Sequence, residues 1–474
     1  MTTTALSRQL IKHVILLTFF IHSYTQILAA PTYTKNQSHT AKSGTLKSPS
    51  DHSTTAIFYM AADNDLYPFS ERNIRQIRAV LAKFDDQAKK RLKIAIHIDM
   101  HRPGQPKITR RYYVDRQHLV QVGKDMSMDS GDPQTLIDCC RWAIESYPSD
   151  NYVLFLWNHG LGIIEPPIKH AINPSQLFKF NSTTKLIELN RNVGFLDYIT
   201  ATDTGKTIQK RSICFDDTTG NYLTNQKLKF ALDTVYHRYL NKKKITICCD
   251  ACLMSMIEVI SPLKEYVDYF ISSQEVELGM GYDYTHVFTP FITTSLDKRA
   301  FATHVVRSYE KAYSKITQDY TQSAIDLSHF DVIDSKVDQL ARLLIEGLQK
   351  QKNKSVKVAI RLSKHKHMCT NFDEPTYIDF GHFAANMLLN IGRCELKNHS
   401  DTINFRQQAT TILQQTLAAI RSSVIANATG KNLAQAQGLS IYFPENHIHT
   451  SYRQSVFATE QTQWYNFLTF YLTH

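Results

Sequence analysis

The chain has 474 residues, 43% hydrophobic and 20% charged, a globular composition that excludes a wholly disordered protein. Lysine and arginine outnumber aspartate and glutamate by 54 to 43, a net charge of +11. The basic residues are scattered and form no basic-aromatic RNA-binding pattern, so nucleic acid is not an expected partner.

Residues 1–30 carry the signal-peptide pattern. Arg8 and Lys12 precede the short apolar run Val14 to Ile21, and Leu28-Ala29-Ala30 offers small residues for cleavage. Pro31 suits the position after a cut badly, which favours cleavage after Ala29. The expected location is outside the cytoplasm, secreted or periplasmic. No other apolar stretch approaches the roughly 20 residues of a membrane-spanning helix, so no stable span is expected after signal removal. Residues 31–53 are rich in Ser, Thr, Lys and Pro and read as a flexible linker.

From Thr54 the chain alternates. Ala56 to Met60 reads as a strand, Leu66 to Phe84 as a helix and Leu92 to Met100 as a second strand. Tyr112 to Val122 suits a hairpin. Pro133 to Tyr147 reads as a helix, with Asp132 as N-cap and Pro133 at its first position. Asn151 to Trp157 and Ile245 to Cys249 are apolar runs with little alternation, as expected of strands buried on both faces. Leu223 to Leu240 reads as a helix, Ser255 to Leu263 as the start of another, and Val267 to Ser272 as a strand. Residues 163–212 are polar and weakly patterned, and read as an insert. After about residue 295 the signals are mostly helical (301–318, 331–351, 376–391, 402–426), until a last strand at Leu439 to Phe443. Strands separated by helices predict an α/β fold with a mostly parallel sheet, whose working residues gather at the carboxyl ends of its strands. The eight cysteines include vicinal pairs inside apolar runs and no matched Cys-x-x-Cys pairs. They are expected to be buried thiols, with no structural zinc.

Two strand ends carry chemistry. Trp157-Asn158-His159-Gly160-Leu161-Gly162 follows one buried strand, and Cys249-Asp250-Ala251-Cys252-Leu253-Met254 follows another. Thiolate attack on a carbonyl needs a sulfur nucleophile, a proton carrier and donors for the oxyanion. Cys252 is expected at a turn into a helix, whose N-terminus would lower its pKa. His159 suits the proton carrier, and Gly160 lets backbone N–H groups approach a substrate. Asp250 would put a carboxylate near the reacting bond, where it selects a basic side chain.

These segments resemble the clostripain family of cysteine peptidases, which groups with the caspases, legumains and gingipains. The likeness rests on Phe58-Tyr59-Met60-Ala61-Ala62-Asp63-Asn64-Asp65-Leu66, on Met128 to Leu136 with the His159 segment, on Asp250 to Met254 with Glu258, and on Gly438 to Pro444. It implies a caspase-like, mostly parallel central sheet flanked by helices. It also implies a Cys252–His159 dyad, an oxyanion site at Gly160 and Cys252, and Asp250, Ser273 and Glu275 at the substrate. The implied reaction is cleavage after Arg or Lys in protein and peptide substrates. The family's self-cleavage between His and Cys makes Lys169, Lys179, Lys185, Arg191, Lys206, Lys210 and Arg211 candidate sites in the insert.

The sequence departs from the family at Ile163, where an aromatic is usual, and at Leu278 and Tyr282, where Pro and Trp are usual. No metal site and no required cofactor are expected. Some family members respond to calcium, but the pair Asp216-Asp217 lacks the ligand count calcium wants, and Asp63, Asn64 and Asp65 read as caps of the following helix. The expected organisation is a peptidase core over 54–295 with the insert at 163–212, and a mainly helical region over 296–474 that completes the fold. The competing reading is a catalytically idle caspase-like binding or adhesion module. The presence of both His159 and Cys252 argues against it. A third is a processing enzyme whose chief substrate is its own insert or a single partner.

Overall fold

The computed structural model describes residues 52–102, 104–165, 167–168, 177–191, 209–210 and 213–474. The signal-peptide pattern, nearly all of the linker, and Lys169, Lys206 and Arg211 lie outside the described residues.

The first strand is apolar on both sides and shows why the sheet is a middle layer. β1 (Thr54–Ala62) is buried along its whole length. Ile57, Tyr59 and Ala61 face one core, while Ala56, Phe58, Met60 and Ala62 face the other. Its partners are β2 (Leu92–Met100), β3 (Ile108–Asp115), β4 (His118–Gln121), β5 (Asn151–Trp157), β6 (Ile245–Asp250), β7 (Val267–Ser272), β8 (Thr321–Asp326) and β9 (Val424–Thr429). The spatial order is β9-β8-β7-β6-β5-β1-β2-β3-β4. The five middle strands, β2-β1-β5-β6-β7, run parallel, and an antiparallel pair closes each end.

Helices cover both faces, as the run pattern predicts. Asp132 caps the helix Pro133–Ser146 by accepting from the Gln134 N–H. The helix Tyr67–Leu81 buries Ser70, Asn73, Ile77, Val80 and Leu81, the stripe of an amphipathic helix. On its face of the sheet Phe58 and Phe155 stack at 4.5 Å, with Tyr284 and Phe288 edge-on. Each such burial contributes roughly 1.5–3 kcal/mol.

The structure departs from the sequence reading in four places. β8 and β9 extend the central sheet from a region read as helical. The last strand, Ser440–Tyr442, pairs antiparallel with Tyr377–Asp379 outside the central sheet. The helix after Cys252 is only Ile257–Ile260, not a helix from Ser255. The insert read as irregular holds a hairpin, Phe178–Asn181 with Leu186–Leu189. All eight cysteines are buried and unpaired. No helix among the described residues is long and apolar enough to cross a membrane.

Candidate active site

The register of two parallel strands sets the site. Trp157 at the end of β5 lies opposite Asp250 at the end of β6. His159 and Cys252 each follow two residues later, so both leave the sheet at the same level. The Asn158 side chain donates to the Ala61 carbonyl and accepts from the Phe215 N–H at 3.1 Å, which ties the His159 turn to the neighbouring strand exits. The Trp157 indole donates to Asn73 Oδ1 at 2.9 Å. His159, Asp250 and Cys252 line one cleft of about 510 Å³, with Leu66, Leu177, Phe178, Glu277, Leu278 and Gly281 among the other walls.

His159 is buried and lies over Phe215, with ring centroids 5.8 Å apart. Its Nε2 lies 2.9 Å from Asp65 Oδ1. In the neutral ring that contact suits a proton on Nε2, donating to the carboxylate. Asp65 stands three residues beyond β1. It is not a helix cap: Leu66 holds the N-cap position without a side-chain bond, and the Leu66 N–H donates to Asn64 Oδ1.

Cys252 sits on a strained turn. Leu253 after it adopts φ +61°, a left-handed value unusual for a branched residue. The Glu277 N–H donates to the Cys252 sulfur at 3.2 Å. No helix N-terminus acts on the sulfur, since the following helix starts five residues on. Burial, reinforced by the Glu277 carboxyl, pushes the thiol well above its ordinary pKa. This corrects the expected lowering.

Gly160 approaches the Cys252 backbone so closely that an added Cβ would lie 2.4 Å from the Cys252 carbonyl oxygen. Only glycine lets these two turns meet. Asp250 is a buried wall of the cleft. Its carboxylate accepts from the Tyr284 hydroxyl at 2.6 Å and the Tyr282 N–H at 3.2 Å. Burial raises its pKa to about 6, against the lowering effect of those donors. Gly281, at φ +60°, leaves room for it: a Cβ there would sit 2.5 Å from Asp250 Oδ1.

Ser273 and Glu275 are not brought to the cleft wall. Ser273 Oγ donates to the Glu275 carbonyl at 2.8 Å and also meets Thr321 Oγ1. Glu275 Oε1 accepts from the Val276 and Asp373 N–H groups, and its Oε2 pairs with Arg191 at 3.2 Å. The Glu275 carbonyl accepts from the Leu253 N–H, so this segment props the nucleophile turn from behind. Arg191 also pairs with Asp319 at 3.2 Å. Leu177 and Phe178, where the insert hairpin begins, stand in the cleft wall.

Asp216, of the acidic pair Asp216-Asp217, ends the strand Ile213–Asp216. It is buried, and with Asp63 and Asp99 it forms three carboxylates whose nearest oxygens lie within 4.8 Å of one another. Lys107 fills their centre, 2.9 Å from Asp99 and in contact with Asp216. Burial raises Asp99 to about 7 despite that lysine. The donor set suits a divalent cation, but an ammonium of the chain already holds the position.

The sequence reading missed Asp65 and Glu277. Asp65 had a signal: it leaves a third parallel strand at the same sheet edge. Glu277 had a weaker one, as a charged residue inside the turn where the family pattern already breaks.

The model of the clostripain family matches residues 58–170 and 196–471. The chain belongs to the clostripain family. Three solved structures share its fold. A secreted C11 cysteine protease from Bacteroides thetaiotaomicron, solved with an irreversible peptide inhibitor, is 18% identical, with TM-score 0.51 over 88% of this chain and 99% of that one. An inactive zymogen C11 protease from Parabacteroides distasonis is 17% identical, with TM-score 0.54 over 89% and 97%. A second structure of a secreted Bacteroides thetaiotaomicron C11 protease, "iotapain", is 15% identical, with TM-score 0.50 over 88% and 99%. No curated protein matches. Family and fold together place this chain among the clostripain-family cysteine peptidases, with a caspase-like sheet.

Proposed function

We propose that the protein is an exported cysteine endopeptidase that cuts after Arg, and less readily Lys, with Cys252 as nucleophile and His159 as proton carrier. The observation that carries this reading is the single cleft lined by His159, Cys252 and Asp250. Asp65 is the positioning residue: it holds His159 through Nε2, so that Nδ1 serves the reaction.

Burial keeps Cys252 a thiol before substrate arrives. As sulfur attacks the scissile carbonyl, the thiol proton passes to His159. The Gly160 and Cys252 N–H groups stabilise the oxyanion. The imidazolium then protonates the leaving amine as the C–N bond breaks, leaving a thioacyl-enzyme. Water, deprotonated by His159, releases the new carboxyl end, and the proton returns to sulfur. Asp250 receives the basic side chain by charge-assisted hydrogen bonds. The chemistry calls on no cofactor.

The N-terminal pattern, together with the secreted relatives, supports export. Self-processing in the insert belongs to the same reading. Leu177 and Phe178 narrow the cleft, and Arg191 bonds Glu275 behind the nucleophile. A cut after Lys179, Lys185 or Arg191 would release that wall, and one relative was solved as an inactive zymogen.

The test is hydrolysis of a chromogenic Arg-terminated peptide by the mature protein and by Cys252→Ala, with intact mass recorded for both. Cleavage and a mass change confined to the wild type are the expected result. Absence of cleavage by either, with and without calcium and reductant, would favour the idle binding module.

A further inference from the structure

We infer that Glu277 is a second specificity residue of the cleft, which together with Asp250 grips a guanidinium between two carboxyls. The inference rests on the proposed basic specificity and deepens it. Glu277 lines the cleft between Val276 and Leu278, and only 7% of it is exposed. Both of its carboxyl oxygens are buried, and no backbone N–H, hydroxyl or cation of the described residues bonds either one; its polar partner is the carboxyl of Asp250. Burial opposes its ionisation, and so do the charge of Asp250 and the hydrogen bond between the two carboxyls.

Two buried acids that face each other cannot both ionise cheaply without a cation. Among the described residues, three buried acids other than Glu277 have N–H or O–H donors of their own. Asp250 has the Tyr284 hydroxyl and the Tyr282 N–H, Glu275 has two N–H groups and Arg191, and Asp379 has Gln274, His382 and Gln437. The other titratable groups coupled to Glu277 are the Cys252 and Cys249 thiols and the phenols of Tyr282, Tyr284, Tyr309 and Tyr313, none of them a cation.

What this pair of acids lacks among the described residues is a cation, and a substrate can bring one from outside. A guanidinium between the two acids supplies charge to both and holds them ionised. Its several N–H donors in one plane can serve two carboxyls at once, whereas an ammonium is a single point charge. The pair thus favours Arg over Lys.

The experiment compares peptide substrates ending in Arg, Lys and citrulline, the uncharged analogue of Arg, on the mature wild type and on Glu277→Gln. The expected result is a loss of about 10-fold or more in the Arg-to-citrulline ratio of kcat/KM. The loss should fall in KM, with kcat held within about 3-fold. The Arg-to-Lys ratio should fall as well. Glu277→Leu fills similar space with an apolar group and carries the same expectation, should the amide variant fail to fold. An unchanged Arg-to-citrulline ratio in a folded variant, beside a wild type that discriminates, overturns the role of Glu277 alone. A wild type that does not distinguish Arg from citrulline overturns the basic specificity itself.

Discussion

Two acidic clusters lie beyond the carboxyl ends of the parallel strands, and they are completed differently. At the β1–β2 side, Asp63, Asp99 and Asp216 surround the Lys107 ammonium, so the cation is part of the chain. At the β5–β6 side, Asp250 and Glu277 face a cleft, and the donors around them are neutral. A buried charge needs a partner in either place. Where the chain supplies a cation, the cluster joins the exits of β1 and β2 to the strand Ile213–Asp216 that follows the insert. Where it supplies none, the proposed specificity brings the positive group with the substrate.

The comparison breaks most readily at Lys107. Lys107→Met leaves three carboxylates without their cation, and should cost about 3–5 kcal/mol of stability in denaturant unfolding. The Arg-to-citrulline ratio of the remaining folded enzyme should not change. A variant of wild-type stability would mean that the cluster is held by something other than its lysine.

Glu258 sharpens the contrast, because it is a buried acid whose donors are neutral. Its Oε1 accepts from the Tyr442 N–H at 2.7 Å and the Tyr452 hydroxyl at 3.3 Å. Burial raises its pKa from 4.5 to about 7. The folded state therefore holds a proton that the unfolded chain loses between pH 4.5 and 7. This one group should lower stability by about 3 kcal/mol as pH rises through that window. Glu258→Gln should flatten that part of the pH–stability curve. An unaltered curve would show that Glu258 ionises at an ordinary pH.

At the cleft, Asp250→Asn should lower kcat/KM for Arg substrates by about 30-fold, roughly 2 kcal/mol, and leave citrulline substrates nearly untouched. Because the Asp250 pKa is raised to about 6, its carboxylate is lost below that pH. KM for Arg substrates should therefore fall as pH rises through about 6, while KM for citrulline substrates stays level. The smallest expected effect is at Asp65. Asp65→Asn should reduce kcat about 10-fold with KM unchanged, and move the pH profile of kcat, since the carboxylate no longer holds the His159 ring. A proportional loss in KM alone would make Asp65 a wall of the cleft and not a support of the histidine.

How far the site was legible follows from burial. Asn151–Trp157 and Val267–Ser272 were read with their observed bounds because strands covered on both faces are unbroken apolar runs. Thr321–Asp326 and Val424–Thr429 were missed, since these strands toward the end of the sheet are rich in Thr, Gln, Ser and Asn. His159 and Cys252 were visible as residues just beyond two such runs. The role of Asp65 was hidden because an acid before a helix is ordinarily a cap.

The sequence by itself determined the alternation of strands and helices, the two strand ends that carry His159 and Cys252, and the four segments that mark the family. These depend on local pattern and order along the chain, and both survive without coordinates. Only the tertiary structure decided which acids acquire a cation and which do not. Asp63, Asp99, Asp216 and Lys107 come from four separate segments, as do Asp65 and His159 from two. Whether a buried carboxylate is structural or awaits a ligand depends on what packs around it, and sequence spacing carries no information about that.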